Sequence, residues 1–214
     1  MKMLLAALLL GVVFFCRADD PTNAPSPNET SQQKVETLVC IRHGEKPPGG
    51  LGQLSCRGLN RALALPKVLL GKFGNPEFVF APNPTEKIDN LMRGYYYIRP
   101  LMTIEPTAIR CGLPVNTKFV FMDIKGLANE VQKPEYQKAT IFIAWEHFML
   151  DLFVVDLVKS HGGNPAKVPP WPESDYDSIF VVKITRSNGH ETVSFTVDHE
   201  GLNGMSDAFP EPAK

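Results

Sequence analysis

The run Val35-Glu36-Thr37-Leu38-Val39-Cys40-Ile41-Arg42-His43-Gly44-Glu45 breaks into two parts of opposite character. Val35 to Ile41 is short, apolar and rich in β-branched residues, which predicts a buried strand. The next four residues bring a guanidinium, an imidazole, a glycine and a carboxylate together. Residues 44–52 are then rich in Gly and Pro, so the chain must leave the strand as a loop. In open α/β sheets, functional groups gather beyond the carboxyl ends of the strands, and this strand end is loaded in that way.

The rest of the chain alternates in the same manner. Ser55 is placed to cap a helix running to about Leu70, which Pro66 should kink or end early. Glu77 to Ala81 reads as a second strand, stopped by Pro82 and Pro84. A helix starts near Pro100, is bent by Pro106, and is ended by Gly112. Ile124 to Gln132 is a weak helix, and Ala139 to Trp145 is a third strand. Phe148 to Lys159 carries apolar residues at helical spacing, and Ser160-His161-Gly162-Gly163 closes it. Ser178 to Thr185 and Thr192 to Val197 are strands joined by Ser187-Asn188-Gly189, a hairpin signal. Strands alternating with helices predict an α/β three-layer sandwich: a mainly parallel central sheet with an antiparallel edge hairpin.

Lys2 followed by the apolar run Met3 to Phe15 and then Cys16-Arg17-Ala18 predicts a signal peptide over residues 1–18 and a secreted or periplasmic protein. The apolar run is too short to span a bilayer comfortably, so no membrane span is expected after cleavage. Phe15 is bulky where a lipid-attachment signal at Cys16 wants a small residue. Residues 19–33 are expected to be a flexible leader, residues 34–205 a single domain, and residues 206–214 a tail. Asn28-Glu29-Thr30 is a glycosylation acceptor only in a eukaryotic host. A formal net charge of -1 carries no basic excess, so nucleic acid is not an expected partner. Beyond the signal segment, Cys40, Cys56 and Cys111 show no disulfide framework, and Cys40 sits in the strand as a small buried hydrophobe.

Three strand ends concentrate the chemistry or lead to it. They are Arg42-His43-Gly44-Glu45, the segment Ala81-Pro82-Asn83-Pro84 leading towards Arg99, and Trp145-Glu146-His147. Two guanidinium forks suit the geometry and charge of a phosphoryl group, and a neutral imidazole can act as a nucleophile. Gly44 lets the backbone approach a ligand closely, and Glu45 follows it at the pocket. Pro100 opens a helix at Arg99, which favours Arg99 over Arg93 as the second clamp. A departing alkoxide needs a proton. Glu146 is the first candidate for that acid, with Glu45, Glu105 and Glu130 as alternatives. His43, Glu45, Glu146 and His147 lack metal-ligand spacing, so neither metal nor cofactor is expected.

These motifs resemble the histidine phosphatase superfamily, which includes the phosphoglycerate mutases. Leu38 to Glu45 matches its Arg-His-Gly motif, and Ser55 to Ala62 the start of its first helix. Arg99-Pro100-Leu101-Met102-Thr103 matches its second arginine with Thr four residues on. Ile143-Ala144-Trp145-Glu146-His147 matches the strand leading to its second histidine. The resemblance spans about residues 35–185. It implies that His43 takes up the phosphoryl group while Arg42, Arg99 and His147 complete the pocket, without a metal. The chain departs from the family in two places: the mutase-type acid is absent, and Phe148 replaces the Asp of the phytase-like branch. The implied activity is a phosphatase acting on a small phosphorylated substrate. A phosphotransferase such as a mutase, or a non-catalytic anion-binding module, are the alternatives.

Overall fold

The computed structural model describes residues 33–90 and 93–211. The expected signal peptide and nearly all of the leader lie outside the described residues, as do residues 212–214 of the expected tail.

The first strand, β1 (Lys34–Arg42), sits in the interior of the sheet. Leu38, Val39, Cys40 and Ile41 are all at most 1 % exposed, which is why the segment reads as a near-continuous apolar run. Helix α1 (Cys56–Phe73) follows, capped by Ser55, whose hydroxyl accepts from the Gly58 amide. Strand β2 (Phe78–Phe80) is shorter than the sequence predicts. Then come β3 (Lys87–Asn90), β4 (Arg93–Tyr96), α2 (Arg99–Cys111), β5 (Val115–Asn116) and α3 (Ile124–Val131). The chain continues through β6 (Thr140–Trp145), α4 (His147–Ser160), β7 (Ser178–Ser187) and β8 (His190–His199).

Six strands form one sheet in the order β5-β2-β6-β1-β7-β8. The β5–β2, β2–β6 and β6–β1 pairs are parallel, and the β1–β7 and β7–β8 pairs antiparallel. The expected three-layer α/β sandwich with an antiparallel edge hairpin is what forms. Strand alternation builds its two cores. Val39, Ile41, Val79, Phe142 and Ala144 pack with Leu65 and Leu69 of α1 and Ile104 of α2. Leu38, Cys40, Phe80, Ile141 and Ile143 pack the other way, against Leu127 of α3 and Leu150 and Phe153 of α4.

The structure departs from the sequence reading at identifiable places. Helix α1 runs through Pro66 to Phe73 instead of stopping near Leu70. Leu65 and Leu69 on either side of the proline are fully buried. Each is worth about 1.5–3 kcal/mol, against about 3 kcal/mol lost at an internal proline. Helix α2 likewise continues through Pro106 and ends where expected, with Gly112 left-handed at φ 67°. The β3–β4 hairpin lies in a segment to which the sequence reading assigned no element, and its pairing is with itself, outside the main sheet. The expected tail is anchored at its start: Asn60 Nδ2 donates to the carbonyls of Ser206 and Ala208. Cys40, Cys56 and Cys111 are free thiols. Among the described residues, no helix is long and apolar enough to cross a membrane.

Candidate active site

Because β1 and β6 are parallel neighbours, their carboxyl ends emerge side by side. Arg42 is in register with Trp145, and the His43 amide donates to the Trp145 carbonyl at 3.0 Å. Two residues further on, His147 opens α4. Thr103 fixes the third part. Its hydroxyl accepts from the Gly44 amide at 2.9 Å and donates to the Arg99 carbonyl at 2.8 Å. The first turn of α2 is thereby stapled to the end of β1.

His43 is 3 % exposed, and its Nδ1 lies 2.8 Å from the Gly44 carbonyl oxygen. A carbonyl only accepts, so Nδ1 carries the hydrogen and Nε2 keeps its lone pair. Burial, with the positive charges of Arg99, Arg42 and Lys46 around it, pushes His43 well below the usual histidine range. The ring is therefore neutral at physiological pH, the state a nucleophile needs.

Arg42 is 1 % exposed. Its NH1 donates to the carbonyls of Glu173 at 2.5 Å and Asp175 at 2.8 Å, and its guanidinium stacks 3.9 Å over the Tyr176 ring. Arg99 is 4 % exposed, donates from NH1 to the Gly50 carbonyl at 3.1 Å, and lies 4.8 Å over the Tyr97 ring. Tyr97 and Tyr176 both flank His43, with ring centroids 5.9 and 6.2 Å away. Each arginine keeps a buried Nε with no protein partner. Each fork is held through one terminal nitrogen, and both charges act on His43.

His147 stands 2.5 Å from Glu146 Oε1 through Nδ1. Burial and the Arg42 charge lower its pKa, while the Glu146 carboxylate works to raise it. Glu146 has a capping task that the sequence reading did not expect. The backbone turns after Trp145, so Glu146 becomes the N-cap of α4, and its Oε2 accepts from the Met149 amide at 3.0 Å. Both carboxylate oxygens are engaged, one in a cap and one on His147. Glu146 thus caps the helix and stands against the imidazole at once.

The other acid candidates are occupied or exposed elsewhere. Glu45 is committed to an ion pair: both of its oxygens are bound by Arg61, at 3.0 and 2.8 Å. Glu130 is held by Lys118, Lys133 and Tyr136, and Glu105 is exposed on α2. Gly44 serves by compactness, because its amide is already given to Thr103 and its backbone presses on Gly58. The amides of Ile98 and Arg99 are not open to an anion either, since both donate to the Gly52 carbonyl at 3.1 Å. The side chain of Arg93 lies outside the described residues. Among the described residues, no group of three or more His, Cys, Asp or Glu side chains could hold a metal ion.

Sequence reading missed Tyr176 and the segment before it, which holds Arg42. Trp171-Pro172-Glu173, which that reading did not use, is the local signal of a rigid crossing. Trp171 anchors that crossing: it is buried, and its indole donates to the Asp175 carbonyl at 3.0 Å.

No protein-family model and no curated protein matches the sequence. Solved structures do. One described as mycobacterial hydrolase 2 aligns at 15 % identity and a TM-score of 0.52, over 77 % of this chain and 90 % of that one. Mycobacterial hydrolase 1 aligns at 15 % identity and 0.51, over 76 % and 97 %. A mycobacterial glucosyl-3-phosphoglycerate phosphatase aligns at 14 % identity and 0.50, over 77 % and 97 %. The likeness is one of fold: the chain has the α/β fold of these solved structures.

Proposed function

We propose that the protein is a phosphatase that hydrolyses phosphate monoesters through a phosphohistidine on His43. The observation that carries this reading is the state of His43. It is buried and neutral, its Nδ1 hydrogen is committed to the Gly44 carbonyl, its Nε2 keeps its lone pair, and the charges of Arg99 and Arg42 act on the ring. The Nε2 lone pair attacks phosphorus as the ester P–O bond breaks, and the departing oxygen takes up a proton. Water then attacks the phosphohistidine, the P–N bond breaks, and phosphate leaves. The sum is ester plus water giving alcohol plus phosphate. Arg42 and Arg99 hold the equatorial oxygens and spread their charge, which is where phosphoryl transfer needs help. Their two fixed positive charges supply this without a metal.

The test is turnover of p-nitrophenyl phosphate by the purified protein in EDTA, with His43→Ala as the partner variant. Turnover lost in that variant is expected. Brief exposure to labelled substrate should leave an alkali-stable, acid-labile label on the wild-type chain alone. Activity retained by His43→Ala, or abolished by EDTA, rejects the reading.

A further inference from the structure

The loop between β1 and α1 borders an open cleft of about 680 Å³ that the phosphoryl chemistry above does not use. Its lining includes Lys46, Gln53, Ser55, Arg57, Tyr176 and Asp207. Tyr176 is the shared wall: one side of the cleft is the same ring that carries the Arg42 guanidinium at 3.9 Å and flanks His43 at 6.2 Å. A phosphate ester held at His43 would share the Tyr176 ring with this cleft.

Two cations stand in the cleft, and both face exposed acids. Arg57 NH2 contacts Asp207 Oδ2 at 2.6 Å, with 40 % and 72 % of the two side chains exposed. Lys46 lies 4.0 Å from Glu173, which is 81 % exposed. Exposed pairs of this kind hold weakly and give way to a better-placed anion. Arg57 also keeps a buried Nε without a protein partner, so its fork is only partly used. The Asp207 carboxylate is delivered by a backbone held on either side, through Asn60 Nδ2 bonds of 2.9 Å to the Ser206 carbonyl and 2.8 Å to the Ala208 carbonyl.

Resting on the phosphatase reading, we infer that this cleft is a subsite for a leaving group that carries a second anion. Arg57 and Lys46 recognise that anion, and Asp207 is the internal carboxylate that such a substrate displaces from Arg57. The C-terminal segment then acts as a built-in competitor. It weakens binding of esters with charged leaving groups and has no bearing on the phosphoryl pocket itself.

The experiment compares kcat/KM for two matched esters, 4-carboxyphenyl phosphate and its neutral isostere 4-carbamoylphenyl phosphate. The wild-type protein should prefer the carboxylate by about tenfold, the scale of one charge-assisted bond. Arg57→Met should bring the ratio close to one, and Arg57→Lys should keep part of it. Asp207→Asn should widen the ratio by about threefold, because the competing carboxylate is gone. A wild-type ratio near one, or a ratio unchanged in Arg57→Met, overturns the subsite while the phosphatase reading stands. Failure of the wild-type protein to turn over either ester overturns both. Because each variant is read as a ratio between two substrates, partial misfolding does not imitate the effect.

Discussion

Gly44 and Gly58 meet backbone to backbone where β1 passes into α1. A Cβ on Gly44 would lie 2.9 Å from the Gly58 carbonyl oxygen, and one on Gly58 would lie 2.4 Å from the Glu45 carbonyl oxygen. Neither clash can be relieved by turning a side chain, so the loop beneath His43 would have to move. Gly58→Ala should cost about 1–3 kcal/mol of stability, the usual range for overpacking. It should also lower kcat by at least about tenfold, because a displacement of the nucleophile on the 1 Å scale is expensive in rate. Denaturant titration together with turnover checks both. A variant with wild-type kcat would mean that this contact does not set the position of His43.

Glu146 separates two tasks that sequence cannot tell apart. If it caps α4 and orients His147, Glu146→Ala should lose about 1 kcal/mol of stability. Glu146→Gln should lower turnover by less than about tenfold, and equally for p-nitrophenyl and alkyl phosphates. A general acid behaves differently. Its loss hurts alkyl leaving groups, which need a proton, by about a hundredfold or more, and largely spares p-nitrophenolate. Measuring both esters in the Gln variant decides between them, and a loss confined to the alkyl ester would restore the acid role.

The protonation state of His43 can be read directly. Burial and three nearby cations depress its pKa, so the neutral ring should persist as pH falls through 6.5, the value at which an ordinary histidine is half charged. Imidazole nitrogen shifts of labelled protein should show the Nδ1-H tautomer below that pH. In Arg99→Met one of the cations is gone, and the titration should move upward. A wild-type midpoint at or above 6.5 would contradict the environment described for this ring.

Much of this was legible in the sequence because the signals were local. Arg42-His43-Gly44 follows an apolar run that could only be an interior strand, and Asn188-Gly189 demanded a tight turn, with φ of 51° and 76°. The position of Glu146 was visible but its direction was not. Strand alternation predicts one face, whereas the helix that starts at His147 bends the chain and turns the carboxylate into a cap. Glu45 looked like a pocket residue because it follows Gly44. Its partner Arg61 lies in the middle of α1, and nothing in the spacing announces a buried ion pair. Tyr176 sits more than a hundred residues from Arg42, so their stacking is a tertiary fact without a local trace.

Arg61 leads to the last prediction. It is fully buried and contacts three carboxylates: Glu45 at 2.8 Å, Glu200 at 2.5 Å and Asp177 at 3.6 Å. One guanidinium cannot neutralise all three. Glu200, the most deeply buried, is pushed up to about 8 by burial, with Asp177 and Glu45 adding repulsion and Arg61 opposing them. The sign follows from linkage. An unfolded Glu releases its proton near 4.5, while the folded one holds it to about 8. Between those values the folded state binds more protons, so the contribution of Glu200 to stability is complete below pH 4.5 and is lost as pH rises through 8. Denaturant midpoints at pH 5 and pH 8.5 should therefore fall more for the wild-type protein than for Glu200→Gln, which stays neutral throughout. Because Asp177 also ties the segment that holds Arg42 to this network, activity should decline over the same window in the wild-type protein and less in the variant. Parallel pH curves for the two proteins would show that Glu200 is already ionised in the fold and that Arg61 serves all three carboxylates after all.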